Sequence, residues 1–182
     1  MRVVSGTARG RQLKAVPGSG TRPTADKVKE AMFSMIGPYF EGGWVLDLYA
    51  GTGGLGIEAL SRGMEHAVFI DADRTSVRTI RENLRATGLE NRAEVYCNDA
   101  ERAVKVLAKR KAAFDLVLLD PPYRLRHMDE LTGQMDELGI LKPDCIVVIE
   151  HDAEQVYPEQ FGRFVQKRRA VYGDTAVSIY YG

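Results

Sequence analysis

A chain of 182 residues, 45% apolar and 27% charged, is long enough to bury a core and has the composition of an ordinary globular domain. Its 25 basic and 25 acidic side chains cancel, and no run approaches the roughly 20 apolar residues that a membrane span needs. The opening Met1-Arg2-Val3-Val4 has no signal-peptide pattern, and Cys97 and Cys145 lie in apolar strand-like runs at no metal spacing. Both thiols are therefore expected to be buried and reduced, which fits a cytoplasmic protein.

The neutral total conceals an uneven distribution. Residues 1–25 carry Arg2, Arg9, Arg11, Lys14 and Arg22 with no acid, Arg124 and Arg126 follow later, and acids collect at Glu150, Asp152, Glu154 and Glu159. A basic face of this kind suits a phosphate backbone. Segments 2–4 and 12–16 are expected to pair as a small hairpin across 6–10. Val28, Ala31, Met32, Met35 and Ile36 then mark an amphipathic helix, with Thr24 as its N-cap. Residues 1–40 thus read as an extension of a single domain whose core runs from 44 to 182.

From residue 44 strands and helices alternate. Runs 44–48, 67–71, 93–98, 114–119 and 145–150 are apolar and of strand length. Val77, Ile80 and Leu84 form a helical stripe that Gly88 should cap, and Ala100, Ala103, Val104, Leu107 and Ala108 form another, started by Asn98 or Asp99. Runs 161–172 and 175–181 meet around Gly173-Asp174, a hairpin signal. The expected fold is α/β and Rossmann-like: a mostly parallel seven-stranded sheet that ends in an antiparallel hairpin, as in class I methyltransferases dependent on S-adenosylmethionine (SAM).

Two motifs carry chemistry. The first, Asp47-Leu48-Tyr49-Ala50-Gly51-Thr52-Gly53-Gly54-Leu55-Gly56, follows a strand and opens a helix, so its glycines can turn tightly and approach a ligand. Its spacing, with Asp71 20 residues after Gly51, also fits a dinucleotide fingerprint. Three features favour SAM over NAD. Asp47 suits the amino group of a methionine moiety and would oppose a pyrophosphate; Asn98-Asp99-Ala100 can reach an adenine; and there is no room for a separate substrate domain. The second motif, Asp120-Pro121-Pro122-Tyr123, ends the fourth strand. Prolines lack an N–H, so the turn offers carbonyls without competing donors. Asp120 and the Pro121 carbonyl can accept both hydrogens of an exocyclic amine and stabilise the positive charge it gains on attack. Tyr123 can stack on a base, which must be flipped out or single-stranded. The motif specifies an amine more firmly than a base: adenine N6, guanine N2 and a glutamine amide all fit. His66, His127 and His151 show no ligand spacing, so no metal is expected, and His127 reads as a surface residue.

The chain resembles the RsmD family of bacterial enzymes, which methylate guanine N2 in small-subunit (16S) ribosomal RNA. The likeness runs nearly end to end: Arg2-Val3-Val4-Ser5-Gly6 with Arg9-Gly10-Arg11, Thr21-Arg22-Pro23-Thr24-Ala25-Asp26-Lys27-Val28-Lys29-Glu30-Ala31, both motifs above, and Tyr172-Gly173-Asp174-Thr175. What the resemblance implies is SAM as cofactor and ribosomal RNA, or an assembling small subunit, as partner. By position Asp71, with Ala72 beside it, would hold the ribose hydroxyls, Asp99 and Ala100 the adenine, and Asp47 with the Tyr49, Ala50, Gly51, Thr52 and Gly53 turn the methionine end. Arg22 and Thr24 would close over the cofactor or guide RNA. Some members carry Glu for Asp71 and Phe for Tyr123. Phosphate contacts are expected from Arg2, Arg9, Arg11, Lys14, Arg124 and Arg126. The alternatives left open are an adenine-N6 methyltransferase, an NAD-dependent oxidoreductase and a non-catalytic RNA-binding factor; a monomer is the default.

Overall fold

Alternation along the strands sets the layers. In β1 (Trp44–Asp47) Val45 faces one apolar layer and Leu46 the other, and the period of two continues through β2 (His66–Asp71) and β4 (Phe114–Leu119). The computed structural model describes residues 1–18 and 24–182. On one side of the sheet Val45, Phe69, Leu116 and Leu118 pack against α1 (Asp26–Ile36), α2 (Gly54–Ser61) and α3 (Arg74–Thr87). On the other, Leu46, Val68, Ile70 and Val117 pack against α4 (Ala100–Lys109) and α5 (Met128–Glu137). Both faces are covered, as a parallel sheet requires.

Among the described residues the sheet has eight strands, adding β3 (Ala93–Cys97), β5 (Leu141–Asp152), β6 (Gln160–Phe161), β7 (Phe164–Tyr172) and β8 (Thr175–Tyr181), in the order β3-β2-β1-β4-β5-β8-β7-β6. Strands β1 to β5 are parallel, and β8 and β7 close the sheet antiparallel. The expected 161–172 strand is split by a turn at Gly162 (φ 56°), which leaves the two-residue β6 as the extra edge. Gly173-Asp174 makes the β7–β8 turn and Gly88 (φ 72°) caps α3, both as the sequence predicts.

Three expectations about the N-terminal extension are corrected. Thr24 does not cap α1: Ala25 occupies that position without a side-chain bond, and the Thr24 hydroxyl reaches Glu150 instead. The buried face of α1 is Lys29, Met32, Phe33 and Ile36, so the stripe is rotated from the expected one and contains a lysine. The N-terminal hairpin reduces to one antiparallel bridge, Arg2 to Gln12, with Gly10 donating to the Val3 carbonyl. Of the two thiols, Cys145 is buried as expected, but Cys97 is exposed, because it ends the edge strand β3.

The bridge is held from below. Glu58 of α2, fully buried, accepts the backbone N–H of Val4 (2.9 Å) and Ser5 (3.0 Å) and pairs with Lys29 (3.4 Å) and Arg62 (2.8 Å), which are equally buried. Lys29 also donates to the Arg2 carbonyl at 2.6 Å. Gly6 (φ +92°) must be glycine: a Cβ there would lie 1.9 Å from the Ser61 carbonyl oxygen.

Candidate active site at the sheet's switch point

Strand order reverses between β1 and β4, where α/β sheets bind ligands beyond their strand C-termini. Each of the five parallel strands ends in or near an acid. In spatial order these are Asp99, Asp71, Asp47, Asp120 and Glu150. Pairing of Asp47 with Leu118 and of Leu119 with Ile149 sets the last three side by side.

The glycine turn lies over this row. Gly51 has φ 56° and nothing within 4 Å of where a Cβ would stand, so its outer face is an open cradle. Its N–H donates to Asp71 Oδ2 (2.8 Å), which joins the turn to the end of β2. The same carboxylate accepts from the Asp73 N–H through Oδ1 (2.9 Å), and neither bond exhausts its lone pairs. Ala50 is buried and donates to the Ile70 carbonyl, while Thr52 Oγ1 accepts the Gly54 N–H. Gly56 serves packing, since a Cβ would collide with the Phe69 ring at 2.3 Å.

Asp47 is 1% exposed and accepts from the Gly56 N–H at 3.0 Å. Burial pushes its carboxyl up to about 7, against that hydrogen bond and helped by the negative charge of Asp71. A cationic ligand group beside it would restore the ionised form. Tyr49, pushed up to about 12 by burial and by Glu101 and Asp99, lies toward the β3 end of the row. Asp99 caps α4, accepting from the Arg102 N–H at 3.2 Å; it stays exposed beside buried Ala100, and Ala72 is exposed at the end of β2.

The Asp-Pro-Pro-Tyr loop follows β4. Asp120 is partly buried, and burial first, then the Glu150 carboxylate hydrogen-bonded to it and the charge of Asp47, hold its carboxyl well above the usual range. Thr24 opposes this by hydrogen bonding to Asp120, and its Oγ1 also donates to Glu150 at 3.0 and 3.1 Å. The N-terminal extension therefore reaches the Asp120–Glu150 side of the row. The Pro122 carbonyl takes the Leu125 N–H (2.9 Å), while no described residue donates to that of Pro121. Tyr123 is 43% exposed with its hydroxyl 2.7 Å from Thr175 Oγ1, so its position is fixed while much of the side chain is open.

The sequence reading left Glu150 out of the site and counted it in an acidic cluster with Asp152, Glu154 and Glu159; it is 7% exposed. The signal was there, an acid ending a buried apolar strand, as at Asp71 and Asp120. Arg22 lies outside the described residues. Arg2, Arg9, Arg11, Lys14, Arg124 and Arg126 are all exposed; Arg2 pairs with Asp26, Lys14 with Glu82 and, loosely at 3.9 Å, Arg126 with Asp152. His127 is partly exposed beside Glu101, and among the described residues no cluster of three His, Cys, Asp or Glu side chains could hold a metal.

A glycine turn over strand-end acids, on a parallel sheet closed by an antiparallel hairpin, defines the α/β fold of the class I methyltransferases. A family model described as "Conserved hypothetical protein 95" matches residues 1–181. A Bacillus subtilis protein named "Putative rRNA methyltransferase YlbH" is 52% identical over 99% of this chain and 98% of its own. The "Ribosomal RNA small subunit methyltransferase D" of Escherichia coli K12 is 31% identical over 99% of this chain and 89% of its own. A solved hypothetical protein of Thermus thermophilus superposes with a TM-score of 0.83 at 30% identity, covering 98% of both chains. The chain belongs to the RsmD family.

Proposed function

We propose that the protein methylates the N2 amine of a guanine in small-subunit ribosomal RNA, with SAM as methyl donor. The observation that carries the reading is the juxtaposition, across the β1–β4 switch point, of the open glycine turn and the Asp120-Pro121-Pro122-Tyr123 loop. The names of the Escherichia coli and Haemophilus influenzae relatives support a ribosomal RNA acceptor.

The donor set fits SAM. Asp47 would take the ammonium of the methionine end, the 49–53 turn its carboxylate side, Asp71 and Ala72 the ribose, and Asp99 with Ala100 the adenine. Bound there, SAM supplies a sulfonium methyl: the N–C bond forms as the C–S bond breaks, with its electron pair left on sulfur. The chain's own residues do the rest. Tyr123 stacks on a flipped-out base, and Asp120 with the Pro121 carbonyl accepts the two amine hydrogens, fixing the lone pair in line. Asp120, whose carboxyl burial and the neighbouring Glu150 charge hold above its usual range, is for that reason a better acceptor for the proton the nitrogen sheds after methylation. Thr24, from the same extension as Arg22, positions this pair. Such an enzyme works in the cytoplasm, as a monomer, on RNA held by the basic N-terminal arm and by Arg124 and Arg126.

The test is transfer of labelled methyl from SAM to small subunits that lack their native modification, followed by nucleoside analysis. Label in N2-methylguanosine is the expected result, and Asp120→Ala should lower turnover at least about 100-fold with SAM binding retained. Label in N6-methyladenosine would replace the base while keeping the loop's role; wild-type turnover in Asp120→Ala would remove that role.

A further inference from the structure

Helix α3 carries Arg74, Arg78, Arg81 and Arg85, spaced four, three and four apart, so they share one face. All four are exposed, and with Val77 and Cys97 they line an open hollow of about 310 Å³ beside the edge strand. Arg81 donates to the Val95 carbonyl at 3.1 Å; among the described residues, Arg74, Arg78 and Arg85 have no side-chain hydrogen bond or ion pair. The helix has one acid, Glu82, which adjoins the stripe four residues after Arg78 and three before Arg85, and its carboxylate pairs with Lys14 at 3.3 Å.

This arrangement works against the helix. Like charges one turn apart repel, and Arg74 stands in the first turn, at the positive end of the helix dipole. A stripe of four arginines whose one neighbouring acid is already paired with Lys14 has an excess of positive charge that suits an external anion. The stripe is also continuous with the N-terminal arm: Lys14 donates its N–H to Asn83 Oδ1 (2.8 Å) and Arg11 reaches the Ala86 carbonyl (3.5 Å), both on α3. From Arg74 to Arg85 it runs about 16 Å at 1.5 Å per residue, the length of several nucleotides of one strand. It lies at the β3 edge, three strands from β4, or about 14 Å at 4.8 Å per strand. That is too far to touch the target base and suited to RNA flanking it.

We propose that the arginine face of α3, with Arg11 and Lys14, is a docking surface for the phosphate backbone of ribosomal RNA flanking the modified nucleotide. The proposal rests on the ribosomal RNA reading above. The test compares wild type with the triple variants Arg74→Gln/Arg78→Gln/Arg85→Gln and Arg74→Lys/Arg78→Lys/Arg85→Lys; Arg81 is kept because it binds β3. Binding to small-subunit ribosomal RNA is titrated across salt, with SAM affinity, thermal midpoint and methyl-transfer kinetics measured in parallel.

The Gln variant should raise Kd and KM for RNA tenfold or more, with kcat and SAM affinity unchanged. Its slope of log K against log salt should be shallower by about 2 to 3, near 0.7–0.9 per lost phosphate contact. The Lys variant should keep the wild-type slope. An unchanged slope and KM in the Gln variant, beside an active wild type, overturns the docking surface and leaves the enzyme intact. Loss confined to assembled subunits, with naked RNA methylated normally, overturns it in favour of a ribosomal protein. A wild type that neither binds nor methylates ribosomal RNA overturns both readings.

Discussion

Replacing Glu58 with alanine should nearly unfold this protein, although Glu58 touches none of the proposed reacting groups. Its carboxylate is fully buried between Arg62 at 2.8 Å and Lys29 at 3.4 Å, cations that are themselves only 1–2% exposed. Burial already pulls the Lys29 ammonium below its usual value, with the Glu58 charge opposing the shift. Truncation would strand the Lys29 ammonium and leave Arg62 only Glu30 and the Pro38 carbonyl, and breaking a buried pair in this way costs about 3–5 kcal/mol. It would also orphan the Val4 and Ser5 N–H groups, at roughly 1 kcal/mol each if water reaches them. The sum, about 5–7 kcal/mol, is comparable to the roughly 5–15 kcal/mol total stability of a domain. In a chain of this size each kcal/mol moves the melting temperature by about 2–4 °C, so a drop of about 10 °C or more is expected. Urea unfolding followed by tryptophan fluorescence and circular dichroism would measure it, with the m-value checking that the denatured state is unchanged. Glu58→Gln keeps the shape and one acceptor and should lose less. A cost below about 1 kcal/mol for Glu58→Ala would mean that the cations escape to water, and the picture of a sealed triad would be wrong.

Three further outcomes follow from the site. Glu150→Gln removes the like charge hydrogen-bonded to Asp120, leaving Asp47 and Thr24 as the other groups that face it, so Asp120 should ionise more easily. The acid limb of kcat/KM should therefore move to lower pH, whereas a merely structural role would lower the rate at every pH without moving the limb. Asp47 is held at about 7 by burial, and a cation favours its ionised form. SAM affinity should thus weaken as pH falls below about 7, approaching tenfold per unit, and calorimetry of Asp47→Asn should give weaker binding with that dependence gone. Gly6→Ala puts a methyl 1.9 Å from the Ser61 carbonyl oxygen at φ +92° and should cost at least roughly 1–3 kcal/mol in urea unfolding; a stable variant would show that the arm is not clamped there.

Most of the sheet was legible because its strands are short, apolar and separated by helices of clean 3.6 periodicity. The two-residue β6 was not, since Gly162 interrupts an otherwise continuous β-rich run. The glycine turn and the Asp-Pro-Pro-Tyr loop were legible because each puts an acid and unusual backbone residues at a strand end. What the sequence did not show is which charged residues are buried. Lys29, Glu58 and Arg62 are buried, and nothing in local pattern distinguishes them from the solvated Lys, Glu and Arg around them; Glu150, also buried, differs in ending an apolar strand. Their burial depends on partners far along the chain: Glu150 meets Asp120 and Thr24, and Glu58 meets Val4 and Lys29. Thr24 was misread for the same reason, because a hydroxyl before a helix looks like a cap until a distant carboxylate competes for it.

Helix α2 explains why the N-terminal arm and the cofactor turn belong to one device. Its first residue, Gly54, continues the glycine turn, and its last turn carries Glu58 and Ser61, which hold the Val4, Ser5 and Ala8 N–H groups of the arm. Arg62, at its C-cap, ties the helix to Glu30 of α1 and to the Pro38 carbonyl. Eight residues, about 12 Å of helix, thus separate the proposed methyl-donor site from the basic arm proposed to face RNA. A buried ionic anchor is a costly way to fasten a loop, but its geometry is unforgiving, so the arm is fixed in register with the turn. Loosening it with Glu58→Gln should therefore raise KM for RNA before it changes SAM affinity. Equal effects on both would mean that α2 moves as a unit and that the arm has no independent hinge.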